Sequence, residues 1–320
     1  MSSVQQIPPV FTVAGRHALS LVAREARADG IREVLVPHVV CPTMVIPFEL
    51  EGMRVRTVAC VPSGVLDPNA LGDALADSDR PPLILHAETF GNHADAALTA
   101  ALTRARSAGA RVVVDATHTA LERAEELLAG SDAAERFTAK APRLDAGAPP
   151  ADYVIASLRK LLPIPLGGVA CGLKRRPELA WDDLDDDLLA VANAARRHPD
   201  APALADGVEE LLDLAWTPAP MPGPYRGRLA APGLDAEIAR RRERLARLHD
   251  AVAGLDVINP GAAYPPVIAH PRAAAIREAL ARAGLPVPLH WDGVTNELVA
   301  LPNDPRAVGI VRRVAGRALH

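Results

Sequence analysis

The chain has 320 residues, of which 49% are hydrophobic and 3% aromatic, and its formal net charge is −4. This hydrophobic content supports a packed core and excludes wholesale disorder, while the acidic balance argues against a dedicated nucleic-acid-binding protein. No apolar run approaches the ~20 residues of a membrane span, and Met1–Pro9 lacks the pattern of a signal peptide. Three separated cysteines without a CxxC pair fit a reduced setting, so we expect a cytoplasmic protein.

The first half of the chain alternates between helical and strand patterns. The predicted helices are Gly15–Asp29, Thr43–Glu51, Asn69–Ala76, Ala94–Ser107 and Thr119–Leu128. The predicted strands are Glu33–Val36, Val55–Cys60, Leu83–His86, Val112–Val114, Tyr153–Ala156 and Val169–Leu173. We place Thr43 as the N-cap of the second helix. Short strands rich in β-branched residues, separated by helices, predict an α/β fold with a mostly parallel sheet covered on both faces.

The middle of the chain departs from this alternation. Ser131–Pro150 is polar and contains Pro and Gly, which predicts a surface insertion or a mobile flap. The acidic run Asp182–Asp187 predicts a solvated face or a helix start, and Pro218–Pro224 predicts a linker or an extended segment. Leu234–Val252 has the pattern of a long, Arg-rich amphipathic helix that bridges two lobes.

The last part of the chain predicts a small α+β domain with an antiparallel sheet. A strand begins at Val267, and further elements follow it. They are a helix at Pro271–Ala283, strands at Pro288–Trp291 and Leu298–Leu301, and a helix at Pro305–Leu319. We therefore predict a large domain over residues 1–235 and a small C-terminal domain over residues 236–320.

Several common catalytic motifs are missing from the sequence, namely GxGxxG after the first strand, GxxxxGK[ST], HExxH and GxSxG. Their absence removes most support for simple nucleotide-binding, zinc-protease and serine-hydrolase functions, and we predict no metal site. The remaining candidates follow the predicted parallel strands, where α/β proteins bind their ligands.

Two of these candidates follow the strand that ends at Val114. Asp115 places a carboxylate at the strand's carboxyl edge, where it can pair with a protonated ring nitrogen, a metal or a ribose hydroxyl, or simply cap a turn. His118, three residues later, can face the same crevice or serve as a structural histidine.

Two more candidates, Ser157 and Lys160, follow the strand Tyr153–Ala156. Lys160 precedes an apolar stretch, and partial desolvation lowers the pKa of an amine and makes it nucleophilic, as Schiff-base chemistry requires. The alternative is a lysine whose aliphatic stem packs on the protein while its ammonium group reaches water.

The last candidate is Gly15–Ala18, which opens the first long helix. The N-terminus of this helix either binds a phosphate or is a plain turn.

Together these parts match the needs of pyridoxal 5′-phosphate. A lysine holds the aldehyde as an imine, and an aspartate keeps the pyridine nitrogen protonated. A helix start and a serine hydroxyl hold the phosphate.

The chain also resembles a known family through eight segments. They are GRHAL at Gly15–Leu19, VLVPHVVCPTMVIPFELEG at Val34–Gly52, HAETFGNHAD at His86–Asp95, DATH at Asp115–His118, SLRKLLPIPLGG at Ser157–Gly168, RRRERLARL at Arg240–Leu248, LHW at Leu289–Trp291 and LPNDPR at Leu301–Arg306. Of these, SLRK and DATH are the most specific. They resemble the DegT/DnrJ/EryC1/StrS aminotransferase-like group of fold-type-I pyridoxal-phosphate enzymes, in its SLRK-motif branch.

The resemblance implies a role for each matched residue. Lys160 would form the internal aldimine and then move the proton between Cα and C4′. Asp115 would pair with the pyridinium nitrogen, and His118 would approach the cofactor's phenolic oxygen. Ser157, with Gly15 and Arg16, would hold the phosphate.

The resemblance also implies features around the ring and the substrate. Related enzymes stack an aromatic ring on the cofactor, and the flat candidates here are His38 and Phe90. His290 and Trp291 would line the substrate side. The family works as homodimers with active sites at the subunit interface, so we expect a homodimer.

Three functions are compatible with these residues. The first is transamination, in which an amino donor loads the cofactor and the amino group passes to a keto-sugar or a small biosynthetic keto intermediate. The second is another reaction at an amino-acid Cα: elimination, racemisation, decarboxylation or a carbon–carbon bond change. The third is a degenerate, non-catalytic partner subunit, suggested by the short middle region and by the missing aromatic residue near Cys41.

Overall fold

The structure is a computed structural model of the chain. It describes residues 7–123, 127, 150–160, 162, 164–181, 185–197, 202–229, 231, 233–285, 287, 296–302 and 304–315. Among the helices within these ranges, none is both long and apolar enough to cross a lipid bilayer.

The large sheet has seven strands in the order β1-β7-β6-β5-β4-β2-β3. The strands are β1 Val10–Thr12, β2 Glu33–Pro37, β3 Arg54–Val58, β4 Leu83–Ala87, β5 Arg111–Asp115, β6 Tyr153–Ser157 and β7 Gly168–Cys171. All pairings from β3 to β6 are parallel, whereas β7 is antiparallel to both β6 and β1. The predicted mostly parallel sheet is confirmed, and the short edge strand β1 is an addition that the sequence pattern did not predict.

Ten helices are described. They are α1 Gly15–Ala28, α2 Pro42–Leu50, α3 Pro68–Ala76, α4 Ala96–Ser107, α5 Asp185–Arg197, α6 Pro202–Leu214, α7 Gly223–Leu229, α8 Leu234–Ala251, α9 Ala273–Arg282 and α10 Arg306–Ala315. Two short 3₁₀ turns, Thr89–Gly91 and Leu158–Lys160, follow β4 and β6. The last three residues of the acidic run Asp182–Asp187 belong to α5, and residues 182–184 lie outside the described ranges.

Each face of the large sheet buries its own core, because successive side chains of a strand point to opposite faces. On β5, Val113 packs with α1 and α2, while Val112 and Val114 pack with helices on the other face, α4 among them. All three valines are fully buried, and each such side chain stabilises the fold by ~1.5–3 kcal/mol. The helices thus cover both faces, as predicted.

The start of α2 corrects one prediction. The N-cap is Cys41 rather than Thr43, and Pro42 occupies the first helical turn. Proline is well suited to that position, because its fixed φ matches a helix and its missing N–H has no partner there. The predicted helix at Thr119–Leu128 is only partly covered: residues 117–123 form turns, and most of residues 124–128 lie outside the described ranges.

Two other segments of the middle region have different outcomes. Pro218–Pro224 is extended where it lies beside β1, since the Val13 N–H donates to Ala219 O at 3.1 Å and the Met221 N–H donates to Phe11 O at 3.1 Å. The insertion predicted at Ser131–Pro150 lies outside the described residues, except for Pro150.

The C-terminal part has a separate antiparallel sheet of β8, Val267–Ala269, and β9, Leu298–Ala300. The strand predicted at Pro288–Trp291 lies outside the described residues. Helix α8 joins the two parts: Leu245 packs in the core of the large sheet and Leu248 packs in the C-terminal core. The boundary between residues 235 and 236 stays a prediction.

Gly168 is expected to be intolerant of a side chain. A Cβ added there would lie 2.4 Å from the carbonyl carbon and oxygen of Ala14, just before α1. Because the obstacle is backbone, we predict that Gly168→Ala lowers the free energy of unfolding by at least ~1–3 kcal/mol in urea denaturation.

Gly227 is the matched control, since a Cβ at this position in α7 meets nothing within 4 Å. Gly227→Ala should leave stability unchanged or raise it by up to ~1 kcal/mol. Equal stability of the two variants would show that the close approach at Gly168 is absent.

Candidate active site

A cavity opens at the carboxyl ends of β4, β5 and β6, beside the starts of α1 and α2. Its lining residues are Ala14, Gly15, Arg16, Leu19, Cys41, Thr43, Met44, Ala87, Glu88, Thr89, Asp115, Thr117, His118, Ser157 and Arg159. Five of the predicted site residues, Gly15, Arg16, Asp115, His118 and Ser157, are therefore brought together. The carboxyl ends of parallel strands meet at one edge of a sheet, which explains this convergence.

Asp115 is the last residue of β5 and is 6% exposed. Its Oδ1 accepts a hydrogen bond from the Thr117 N–H at 2.8 Å, so the turn after the strand fixes the carboxylate. The carboxylate consequently lines the cavity in a set orientation.

Ser157 ends β6, the neighbouring strand, and is 5% exposed. Its N–H donates to Thr117 Oγ1 at 3.0 Å, which ties the ends of β5 and β6 together. The Ser157 Oγ is buried and has no hydrogen-bond partner among the described residues. A buried hydroxyl without a partner is costly, so this atom indicates a place for a ligand.

The start of α1 lies against Ser157. A Cβ added at Gly15 would lie 3.0 Å from the Ser157 Cβ, so glycine permits this approach. The N-cap residue, Ala14, makes no side-chain hydrogen bond to the helix. The first-turn N–H groups of α1 have no side-chain cap, and together with the helix dipole they favour an anion.

The side chain of Arg16 points to α6. Its Nη1 donates to Leu212 O at 2.7 Å and to Asp213 Oδ1 at 2.6 Å, and the guanidinium carbon lies 5.1 Å from the Trp216 ring centroid. The Arg16 guanidinium, which is predicted to hold a phosphate, therefore already has an acidic partner.

His118 is 9% exposed and lines the cavity. Its Nδ1 accepts a hydrogen bond from the Phe90 N–H at 2.9 Å, and its ring lies 4.3 Å from the Tyr264 ring, centroid to centroid. Of the described residues that line the cavity, His118 alone carries a ring. Tyr264 belongs to the segment before β8, so His118 also contacts the C-terminal part.

His38 and Phe90, the two candidates for stacking on a cofactor ring, do not line the cavity. His38 is exposed, and its Nδ1 accepts a hydrogen bond from the Cys60 N–H at 3.1 Å. Phe90 is 1% exposed and packs with Val39 and Tyr264 behind His118. Both positions depend on how distant segments pack, which the local sequence pattern does not report.

Lys160 is the last residue of the 3₁₀ turn that follows β6. Its backbone thus follows the parallel strand next to that of Asp115, at the same edge of the sheet. Its side chain lies outside the described part. His290 and Trp291 also lie outside the described residues.

Glu88, next to β4, is a cavity residue that the sequence analysis did not identify. It is 1% exposed, and its carboxylate accepts hydrogen bonds from Arg123, His93 and Thr119, with the Arg123 Nε at 2.8 Å and the His93 Nδ1 at 3.0 Å. His93 also contacts Glu122 through its Nε2 at 2.6 Å. The residues HAETFGNHAD carry these groups, but their pairing with residues 119–123 requires the tertiary structure.

The charges in this network stabilise one another. Although burial raises the pKa of Glu88, hydrogen bonds from His93 and Arg123 hold it at about 2. Hydrogen bonds to Glu122 and Glu88 raise the pKa of His93 to about 10. Glu88 is therefore ionised and His93 protonated at neutral pH. In the described part of the chain, no group of three or more His, Cys, Asp or Glu side chains is arranged to hold a metal ion.

A scan against protein-family models finds no match, and neither does a comparison with curated proteins. Solved structures do match. A DegT/DnrJ/EryC1/StrS aminotransferase from Brucella abortus has a TM-score of 0.60 and 13% identity, over 96% of this chain and 86% of that one. A protein assigned as a sugar aminotransferase from Streptococcus pneumoniae, in its PMP form, has a TM-score of 0.60 and 15% identity, over 97% and 88%.

An aromatic-amino-acid aminotransferase from Burkholderia pseudomallei, covalently bound to pyridoxal phosphate, has a TM-score of 0.56 and 14% identity, over 98% of this chain and 76% of that one. At such low identities the similarity establishes the fold. The resemblance in fold to the DegT/DnrJ/EryC1/StrS aminotransferases, predicted from the motifs, is confirmed.

The His93 network predicts a specific pH dependence of stability. Because the folded state raises the pKa of His93 from 6.5 to about 10, the protonated imidazole stabilises the fold fully below pH 6.5. This contribution is lost as the pH rises from 6.5 to about 10. Urea unfolding across this range should therefore show that the difference in free energy of unfolding between wild type and His93→Gln becomes smaller as the pH rises.

The control is His38→Gln, since His38 bonds to a backbone N–H rather than to two carboxylates. The stability difference between His38→Gln and wild type should not show this narrowing, because no carboxylate pairs with the His38 ring among the described residues. A constant gap for His93→Gln as well would contradict the charged contacts between His93, Glu88 and Glu122.

Proposed function

We propose that this chain is a pyridoxal-phosphate-dependent aminotransferase whose active site is the cavity at the ends of β4, β5 and β6. The observation that carries the proposal is the Ser157 Oγ, buried without a partner beside the uncapped start of α1. The next parallel strand ends at Asp115, and Lys160 follows Ser157 in the chain.

The residues present fit the phosphate of this cofactor. A phosphate needs several hydrogen-bond donors and a positive field, which the Ser157 hydroxyl and the first N–H groups of α1 supply. The close approach of Gly15 to Ser157 brings these donors together. Glycine at residue 15 favours this approach, because a Cβ there would crowd the Ser157 Cβ at 3.0 Å.

Asp115 fits the pyridine nitrogen. When bound, the cofactor supplies an aldehyde that bonds amines and a ring that accepts electrons from the substrate's Cα. The Asp115 carboxylate, oriented by the Thr117 N–H, would hold a proton on the ring nitrogen and so favour that electron flow. His118 would face the cofactor from the same turn.

Lys160 would supply the amine that holds the cofactor and the base that moves the proton of the substrate's Cα. Its backbone position supports this role, because a turn directly after β6 brings the residue to the cavity edge. His290 and Trp291 remain proposed substrate contacts.

We further propose that the acceptor is a keto-sugar or a small biosynthetic keto compound and that an amino acid is the donor. The similarity to a protein assigned as a sugar aminotransferase supports this substrate class. The three cysteines are free, which supports the proposed cytoplasmic location.

A homodimer is part of the proposal, and α2 is the helix that supports it. Helix α2 carries apolar residues on all of its sides. Met44, Val45 and Ile46 are nevertheless only half-buried, and Leu50 is 61% exposed. An apolar face of this kind is stabilised when a partner covers it. Met44 also lines the cavity, so a second copy packed on α2 would border the active site.

The cofactor assignment is tested by absorbance and mass spectrometry. Incubation with pyridoxal phosphate should give a visible absorbance band, and borohydride should attach the cofactor to Lys160. Glutamate, glutamine or alanine should bleach the band when it donates its amino group. Modification of other lysines only would refute the site, and release of a keto acid without amino transfer would favour another reaction at Cα.

Asp115→Asn is the variant that probes the ring-nitrogen role. The amide keeps an oxygen that accepts the Thr117 N–H, so folding should be unchanged, whereas turnover should fall by ~100-fold or more. Asp95→Asn is the matched control, because Asp95 also accepts a backbone N–H, from Leu98 at 2.8 Å, but lies outside the cavity lining. Equal turnover of Asp115→Asn and wild type would refute the role.

The assembly is tested by sedimentation velocity. Ile46→Glu or Leu50→Glu should shift a dimer towards monomer, because each places a charge in the proposed interface. Leu214→Glu is the control, since Leu214 is similarly exposed, at 64%, but belongs to α6 and not to α2. A monomeric wild-type protein with full activity would contradict the homodimer.

A further inference from the structure

Arg159, the residue before Lys160, lines the cavity with a side chain that is 10% exposed. Its guanidinium forms a two-point ion pair with Glu209 on α6, in which Nη2 lies 2.9 Å from Oε2 and Nη1 contacts Oε1. The Arg159 Nε is buried and has no hydrogen-bond partner among the described residues. The Arg159 Nε–H is therefore a hydrogen-bond donor without an acceptor beside the cavity.

Arg16 is the second cation of the cavity lining, and it makes the same kind of contact. Its side chain is 5% exposed and pairs with Asp213, also on α6. Glu209 and Asp213 are four residues apart, so they lie on one face of the helix. Helix α6 thus places a carboxylate on each of the two arginines.

The two sides of these ion pairs differ strongly in exposure. The arginine side chains are 5% and 10% exposed, whereas Asp213 and Glu209 are 61% and 53% exposed. An exposed carboxylate can exchange its partner for water at little cost, but a buried guanidinium needs an anion. Another anion that enters the cavity can therefore replace the carboxylates.

The cavity itself offers the other contacts of such an anion. Arg16 belongs to the uncapped first turn of α1, and Arg159 comes two residues after Ser157 with its unpartnered hydroxyl. Both arginines therefore border the place where the proposed function puts the cofactor's phosphate. Guanidinium groups bind phosphate oxygens through short, charge-assisted hydrogen bonds.

We propose that Arg159 is a phosphate-binding residue and that Glu209 and Asp213 of α6 form a carboxylate strap, a pair of anions that a phosphate group displaces from the two arginines. The inference rests on the proposed function in taking the cofactor's phosphate as the physiological ligand. Loading of the site and release of the two carboxylates are then coupled, because both kinds of anion use the same guanidinium donors, while α6 itself stays packed through Val208 and Leu212.

The experiment uses inorganic phosphate and the full chain, from which bound cofactor is removed by hydroxylamine treatment and dialysis into a phosphate-free buffer. Calorimetry gives the dissociation constant. Removal of the competing carboxylate in Glu209→Gln should tighten phosphate binding up to about fivefold. Loss of the cation in Arg159→Gln should weaken it about tenfold, with Arg159→Lys in between.

Glu210→Gln is the matched control. Glu210 is the next residue of α6, carries the same charge, and makes no hydrogen bond or ion pair to any described residue. The phosphate affinity of Glu210→Gln should stay within about twofold of wild type, because this variant removes a negative charge but no contact to an arginine. If Glu209→Gln binds phosphate no tighter than Glu210→Gln, the competition is refuted. Wild-type affinity in a folded Arg159→Gln variant would refute the role of Arg159.

Trp216 reports on the strap itself. Its ring lies over the Arg16 guanidinium, and its Nε1 donates to Asp213 O at 2.9 Å. Phosphate should change the Trp216 emission of wild type, identified as the signal that Trp216→Phe removes. Binding of phosphate without a change in this emission would show that Asp213 keeps its contact with Arg16, which would refute the strap.

This test fails separately from the proposed function, because inorganic phosphate has no aldehyde. If borohydride leaves Lys160 unmodified but Glu209→Gln still tightens phosphate binding, the aminotransferase proposal fails and the strap stands. If Lys160 is modified but the Glu209 and Glu210 variants behave alike, the strap fails and the aminotransferase proposal stands.

Discussion

The candidate site depends on the close contact between β7 and the start of helix α1. Gly168 has no room for a side chain against Ala14, and the Gly167 N–H donates to Val13 O at 2.6 Å. On the neighbouring strand, Ser157 lies opposite Gly168, and this places it beside Gly15. The first N–H groups of α1 and a buried hydroxyl thus share one small volume, which is the physical basis of an anion site.

Around this anion site the charges are arranged in pairs that join distant parts of the chain. Glu88 is held by Arg123 and His93, and these contacts extend through Glu122 to the Ala263 N–H at 2.9 Å, in the segment before β8. In a second set of ion pairs, α6 contacts the two cavity arginines. Buried charges need such partners, because desolvation of an unpaired ion is costly. The cavity residues are therefore tied to the C-terminal part through Glu122 and to α6 through the arginine ion pairs.

The fold similarity and the site residues support different conclusions, the first about architecture and the second about chemistry. Similarity to aminotransferases at 13–15% identity establishes the architecture, but one architecture supports many reactions. The proposed chemistry rests instead on particular atoms: the unpartnered Ser157 Oγ, the oriented Asp115 carboxylate and the backbone position of Lys160. In the proposal these atoms hold a phosphate-bearing cofactor, and the contacts to the acceptor are assigned to His290 and Trp291.

The sequence by itself determined the alternating elements and the strand ends that carry Asp115 and Ser157. Hydrophobic periodicity is local, and the carboxyl ends of parallel strands necessarily meet at one edge. Only the tertiary structure decided that His38 is exposed, that Phe90 packs behind His118, and which acids pair with the cavity arginines. The reason is distance along the chain: Arg16 meets Asp213 across 197 residues, and such contacts depend on how helices pack, which no local pattern encodes.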